Sequence, residues 1–184
     1  MEAYDPDEMI AEARRQRRLV ERMTASLDEA AFAAAPAPGG WSVGQCLEHL
    51  ALINQVYLDA IEDAAQRGQG GPHGRGRRRK RRHGWLGNAF VRSLEPPVRL
   101  KGRAFAATVP QGRSRDQVLS AFFAAQDRLV LAIEAARGLD FARVRMSSPF
   151  FRLLRLSLGQ AFGAVLAHNR RHIRQAEDVL ERKV

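Results

Sequence analysis

The chain has 184 residues, and its 30 Lys and Arg against 20 Asp and Glu give a formal net charge of +10. This length allows a sizeable core, so we expect residues 1–184 to form a single domain. The single cysteine, Cys46, excludes an intrachain disulfide framework, and the sequence shows neither a signal-peptide core nor an apolar run that could span a membrane. We therefore expect a cytoplasmic protein without a membrane partner, and the richness in Arg and Ala is typical of a GC-rich bacterial genome.

Most of the excess positive charge lies in one stretch. Seven Arg or Lys residues fall within positions 75–82, which leaves +3 for the rest of the chain. Several glycines precede this run, so we predict a flexible, solvated loop at about 67–84. No aromatic residue is interleaved with the arginines to stack on bases. The basicity therefore belongs to one loop and not to the fold.

The first predicted helix begins after Asp5, which can cap it while Glu8 reaches back to the cap. Pro36 and Pro38 end the helix. Its buried stripe is predicted at Met9, Ala13, Val20, Met23, Leu27 and Ala31.

The second predicted helix begins at a capping box that Ser42 and Gln45 form. Its apolar seam includes a histidine, and the seam runs through Cys46, His49, Ile53, Val56 and Ala60. The opposite, polar side carries Gln45, Glu48, Gln55, Asp59 and Glu62. A lone histidine in such a seam is more often a hydrogen-bonded core residue than a metal ligand.

A long connection follows the second helix. We predict a short helix at Trp85–Leu94 that Pro96-Pro97 stops, and an extended segment from Val98 to Pro110. The side of this helix that faces the core is predicted at Trp85, Leu86, Ala89, Phe90 and Leu94. A crossover between parallel helices needs a connection of this length, as in some four-helix bundles.

Two further capping boxes mark the third and fourth long helices. Ser114 with Gln117 begins the third, and Ser157 with Gln160 begins the fourth, after a loop at residues 147–149. The stripe of the third helix is predicted at Val118, Phe122, Ala125, Leu129 and Ile133, with Gly138 as its stop. The sequence thus predicts an all-α four-helix bundle with a long crossover between helices 2 and 3.

Two histidines of the last helix, His168 and His172, lie four residues apart on the stripe that a bundle would bury. If the second and fourth helices pack antiparallel, His49 lies at the same level, near one end of the bundle. The sequence therefore predicts a metal site formed by His49, His168 and His172. Three neutral imidazoles suit Zn, Ni, Co, Fe or Cu better than Mg or Ca.

Three protein ligands leave coordination positions open, which is typical of a catalytic metal. Such a metal can lower the pKa of a water molecule or of a substrate thiol. Glu48 and Asn169 adjoin the predicted ligands in sequence but point about 100° away on their helices, which disfavours a catalytic role. Cys46 lies one turn before His49, and its side chain is either a buried structural thiol, a fourth ligand or a redox position.

The sequence resembles the DinB-like family. The resemblance rests on Trp41-Ser42 leading to His49, and on the downstream run from His168 to Gln175, His-Asn-Arg-Arg-His-Ile-Arg-Gln. It is strongest to the branch of candidate metal-dependent hydrolases related to YfiT, and it covers nearly the whole chain. The resemblance implies a four-helix bundle, a divalent metal (nickel or zinc) at the three matching histidines, and pairing of two copies into a homodimer.

Members of this wider family include transferases that use low-molecular-weight thiols. We therefore expect a divalent-metal-dependent enzyme for a small-molecule substrate, either a thiol-dependent S-transferase or a hydrolase. Two alternatives stay open. One is a nucleic-acid-binding or damage-response protein that acts through residues 75–82, whose affinity would fall steeply with salt. The other is a bundle whose metal only stabilises helix packing.

Overall fold

The computed structural model describes residues 4–36, 39–69, 83–97 and 105–182. Helices dominate these residues, and a single pair of short strands accompanies them. The elements in chain order are α1 (Pro6–Thr24), α2 (Glu29–Ala33), α3 (Val43–Gln69), α4 (Trp85–Leu94), α5 (Arg115–Ala135), β1 (Arg145–Ser147), β2 (Arg155–Ser157) and α6 (Leu158–Glu181).

The four long helices α1, α3, α5 and α6 form the bundle, and side-chain contacts fix their directions. Near the start of α3, Glu48 accepts a hydrogen bond from Gly112 N just before α5, and farther along Glu62 pairs with Arg128 of α5. Helices α3 and α5 therefore run parallel, as a long crossover requires. The ends of α3 and α6 meet in the opposite order, because His49 near the start of α3 contacts His172 near the end of α6. The predicted four-helix bundle with a crossover is confirmed.

The capping boxes predicted from sequence begin three of the long helices. Ser42 Oγ accepts from Gln45 N at 3.1 Å while Gln45 Oε1 accepts from Ser42 N at 3.0 Å, and Ser157 and Gln160 repeat the arrangement at α6. The box of Ser114 opens α5. Each reciprocal pair satisfies two of the amide groups that a helix leaves unpaired at its amino end. These caps fix where the helices begin, and hence the height of the histidines above the bundle end.

The first helix is shorter than predicted. It ends at Thr24, and a separate short helix α2 begins after Asp28, whose carboxylate accepts a hydrogen bond from Ala31 N at 2.7 Å. The apolar stripe continues across this break, so periodicity alone could not locate it. Phe32 of α2 is 1% exposed and packs so closely on α3 that a Cβ at Gly44 would lie 2.7 Å from its ring. The break lets α2 turn and close one end of the bundle.

Helix α4 has the predicted bounds but a different buried face. Trp85 and Leu86 are 76% and 57% exposed, and Ala89 is exposed too, whereas Gly87 and Val91 are buried against α6. The predicted face is therefore wrong at its amino end, because Gly87 packs against the buried side-chain amide of Gln160 and turns that side of the helix toward α6. Phe90 and Leu94 pack at the edge of the core, as predicted.

The connections differ from the prediction in detail. Helix α3 continues through Arg67 to Gln69, and residues 70–82 of the predicted basic loop lie outside the described residues. The predicted extended segment is described only from residue 105, where Ala106–Thr108 form a 3₁₀ turn. Before α6 the chain forms an antiparallel hairpin of β1 and β2, which the sequence analysis missed. Across the described stretches, no helix has the length and apolar composition needed to cross a bilayer.

Candidate metal centre

Three imidazoles from two helices converge in the described part of the chain. Helix α3 supplies His49, and α6 supplies His168 and His172, one turn apart. One ring nitrogen from each histidine forms a set in which all three atoms lie within 4.8 Å of one another. The ring centroids are 4.6 to 5.2 Å apart. The structure thus brings together the three residues that the sequence singled out.

Hydrogen bonds fix two of the three rings. His49 Nδ1 lies 2.6 Å from the carbonyl oxygen of Thr108, which can only accept, so Nδ1 carries the proton and Nε2 keeps its lone pair. His172 Nδ1 lies 2.9 Å from Gln175 Oε1, which fixes its ring in the same way. Partners of this kind orient metal-binding histidines and make the free nitrogen more basic. Both rings therefore offer a lone pair to the centre of the cluster.

The third ring carries an unsatisfied atom. His168 Nδ1 is buried and has no hydrogen-bond partner among the described residues. A buried polar atom without a partner costs about 1–3 kcal/mol. A cation that accepted a lone pair of this ring would fix its tautomer and offset part of this free-energy cost. The unpaired nitrogen of His168 therefore indicates that these three residues fit a metal ion.

All three histidines are held neutral by their surroundings. Burial lowers the pKa of His49, and Arg171 lowers it further. Burial, the other two imidazoles and Arg171 lower the pKa of His168 well below its usual value. Burial, His49 and Arg171 lower the pKa of His172 to about 3. Neutral rings near pH 7 are the form that binds metal ions, so no proton has to leave the rings before an ion binds.

The donor set is restricted to nitrogen within the described residues. No carboxylate or thiol joins the group of His49, His168 and His172. Cys46 is fully buried among apolar side chains of α3 and its neighbours, and burial raises the pKa of its thiol to about 12. Of the three roles left open for this cysteine, the structure favours the buried structural thiol. Three imidazoles would leave further coordination positions for water or substrate.

Trp41 forms a wall of the cluster. Its ring stacks on His172 with centroids 5.6 Å apart and lies 4.9 Å from the ring of His49. From the sequence, Trp41 was a marker of the family resemblance and had no predicted role at the site. An aromatic wall of this kind limits water access to the imidazoles and fixes their orientation by packing.

The two polar neighbours of the predicted ligands point away from the cluster, as their helical angles predicted. Glu48 accepts from Gly112 N at 3.0 Å and is only 3% exposed, so the side of α3 opposite the apolar seam is covered at this position. Asn169 is fully buried and donates to Gln126 Oε1 at 3.4 Å. Glu48 ties the crossover to α3, and Asn169 ties α6 to α5. Neither touches the imidazoles through a described hydrogen bond.

Sequence reasoning missed the partners that orient the rings. Gln175 lies three residues after His172 on one helix, a spacing at which side chains meet, so a signal existed. The carbonyl of Thr108 had none, because it reaches His49 from a long connection whose path the sequence does not specify.

Comparisons with known proteins agree with this architecture. A family model described as the DinB superfamily matches residues 12–176. Among solved structures, the chain is similar to YfiT from Bacillus subtilis, described as "a probable metal-dependent hydrolase with an unusual four-helix bundle topology". The match has 14% identity and a TM-score of 0.54, and it covers 100% of this chain and 90% of YfiT. At this identity the likeness shows the fold alone. No curated protein matches the sequence.

Proposed function

We propose that this chain, which belongs to the DinB superfamily, is a metal-dependent enzyme whose His49, His168 and His172 hold one divalent transition metal ion. The observation that carries the proposal is the convergence of three neutral imidazoles from α3 and α6, two buried and one partly buried, with donor atoms within 4.8 Å of one another. Helices pack with apolar side chains far more often than with three adjoining histidines. Packing three such rings together without a cation costs free energy, because each ring loses hydration when the protein folds.

The residues divide into ligands and positioning groups. The three imidazoles would bind the ion, while the Thr108 carbonyl and the Gln175 side chain hold two of the rings by their Nδ1 atoms. Trp41 shields the site from one side. An ion bound there supplies Lewis-acid chemistry, since it lowers the pKa of water or of a thiol and polarises a substrate carbonyl. Nitrogen ligands of this softness favour zinc or nickel over magnesium or calcium.

Two reactions use such a site, and both act on a small molecule. The first is hydrolysis, the activity with which YfiT is described. The second is transfer to a low-molecular-weight thiol, which the family resemblance suggested. We place hydrolysis first because it is the activity named in the description of YfiT, which shares the fold. A homodimer, and nucleic-acid binding through residues 75–82, stay predictions, and the second falls outside the described residues.

Metal content tests the proposal directly. Untagged wild-type protein, incubated with Zn²⁺ or Ni²⁺ and desalted, should retain about one equivalent by elemental mass spectrometry. His49→Ala, His168→Ala and His172→Ala should each lose the ion. His83→Ala is the matched control, since His83 lies outside the cluster and bonds Ser157 instead. Far-UV circular dichroism of each variant verifies the fold.

Two results would overturn this assignment. One is wild-type protein that retains no metal, and the other is equal metal retention by the cluster variants and His83→Ala. Loaded protein is then assayed with esters and amides alone, and with glutathione plus an electrophile. Turnover that needs the added thiol would move the proposal from hydrolase to transferase.

A further inference from the structure

A large open cleft leads to the candidate metal centre. It lies between α1 and the second half of α6, has a volume of about 1390 Å³, and includes His172 and Trp41 in its wall. A ligand lying in this cleft can therefore reach one of the three imidazoles from outside. This volume exceeds that of most small-molecule sites, so it leaves room for a substrate that extends well beyond its reacting atom.

The wall of this cleft is strongly cationic. Three acidic residues face seven arginines there: Arg15, Arg18, Arg22, Arg170, Arg171, Arg174 and Arg182. The acids are already engaged by arginines of their own neighbourhood. Glu12 pairs with Arg15 and Arg170, while Arg174 takes the other two acids. Among the described residues that line the cleft, these pairs leave an excess of positive charge.

Two of the arginines on α1 stand without an acidic partner. Arg18 and Arg22 are exposed, line the cleft, and form no ion pair with any residue in the described ranges. They are four residues apart, so their guanidinium groups share one face of the helix and repel each other. A helix that only needed solubility would carry acids at some of these positions, as it does at Glu12 beside Arg15. An anion between the two groups would remove the repulsion.

Arg171 approaches from the opposite wall. It is half-buried, lies next to His172 in the sequence of α6, and lines the same cleft. A guanidinium group offers planar pairs of N–H donors that match a carboxylate or a phosphate. Arginines on both walls thus face a common space that opens on the imidazole cluster.

We propose that this arginine cleft, defined by Arg18, Arg22 and Arg171, binds the acid group of a small anionic substrate, either a carboxylate or a phosphate monoester. The acid group would lie between α1 and α6, with the reacting end of the molecule directed toward His172. This inference deepens the proposed function and rests on it for the position of the reacting end. Anion binding itself does not need the metal, so the two proposals can fail separately.

A concave site distinguishes a small anion from a nucleic acid. The cleft is concave and lies between α1 and α6, so a compact anion can enter it and contact arginines of both walls. A continuous phosphate backbone instead needs an extended basic surface. The cleft therefore fits a molecule with one acidic end better than a polyanion.

The test measures anion binding by metal-free protein in isothermal titration calorimetry. Glutarate and glycerol 3-phosphate are the probes, and they separate a carboxylate from a phosphate source. The test variant is Arg18→Ala/Arg22→Ala. The control is Arg14→Ala/Arg152→Ala, which removes the same charge from exposed arginines outside the cleft. Each variant is also loaded with Zn²⁺ to verify that the metal content is unchanged.

At least one probe should bind wild type and control with dissociation constants within about twofold of each other. The test variant should bind it about tenfold more weakly or worse, because two charge-assisted hydrogen bonds are lost. Equal weakening in both double variants would overturn the inference, since binding would then follow net charge alone. No binding of either probe at millimolar concentration would overturn it too.

The metal measurement separates the two proposals. Protein that binds zinc and neither anion keeps the proposed function and refutes the arginine cleft. Protein that binds the anion and no metal refutes the metal centre and keeps the cleft as an anion site.

Discussion

Substituting Gly87 by alanine should destabilise the protein, although alanine is the better helix former. Gly87 lies in the first half of α4, where the helix crosses α6. A Cβ built there would overlap the side-chain amide of Gln160, with 2.6 Å to its Nε2. Gln160 is fully buried, so its amide has no free space to enter. The substitution must therefore move either the amide or the whole of α4.

The cost follows from the hydrogen bonds of that amide. Gln160 Nε2 donates to Gly84 O at 2.6 Å and to Asn88 Oδ1 at 2.9 Å, and its Oε1 accepts from Ser157 N at 3.0 Å. Each bond contributes about 0.5–1.5 kcal/mol, so losing all three costs about 2–4 kcal/mol. The gain in helix propensity from Gly to Ala returns about 1 kcal/mol. We expect a net loss of about 1–3 kcal/mol in the free energy of unfolding.

Urea unfolding followed by far-UV circular dichroism measures this difference. Gly138→Ala is the matched control, because nothing lies within 4 Å of a Cβ at Gly138 and its φ is compatible with alanine. The control should be neutral or more stable by about 0.4–1 kcal/mol. A Gly87→Ala protein as stable as wild type would refute the reasoning. In a Gln160→Ala background the cost should largely disappear, which a double-mutant cycle resolves.

Two further predictions concern the imidazole cluster. The metal-free protein should lose stability as the pH falls from about 6.5 toward 3, because the unfolded chain binds a proton at His172 that the folded chain, with a pKa of about 3, does not. Between pH 7 and pH 5 this residue alone costs about 2 kcal/mol. Urea titrations at both pH values should show it, and His172→Gln should reduce the pH dependence by about this amount, while His49 and His168 keep theirs. Replacing Gln175 by leucine removes the acceptor of His172 Nδ1 and should weaken zinc binding about 10- to 100-fold in competition with a chromophoric chelator. Gln55→Leu, on an exposed position of α3, should leave the affinity unchanged, and equal affinities in both variants would contradict a role for Gln175.

The sequence predicted those features that local chemistry determines. A capping box needs only two side chains three residues apart, so Ser42 and Ser157 marked their helix starts to the residue. The histidine pair on α6 needed only helical periodicity, and His49 joined it once antiparallel packing was assumed. The candidate site could therefore be predicted mostly from local sequence patterns on two helices.

The features that could not be predicted depend on where distant segments return. Burial of Glu48 follows from residues 112 and 113 folding back onto α3, and the carbonyl of Thr108 reaches His49 by the same route. The three-residue strands of the hairpin are too short for an alternating pattern. The end of α1 was missed for another reason. Asp28 is a residue type that caps helices, but the apolar stripe continues through Leu27 and predicted one unbroken helix.

The arrangement of the imidazoles also determines at which stage of folding the protein can bind a metal ion. Helix α3 carries one of the three rings and α6 carries two, and the crossover, α4, α5 and the hairpin all lie between them in the chain. Neither helix offers a three-donor site by itself, so a partly folded chain has nothing to hold an ion tightly. Loop closure makes such distant contacts late events in folding. An ion would thus be captured only after α6 has docked, and it would then resist the separation of α3 from α6.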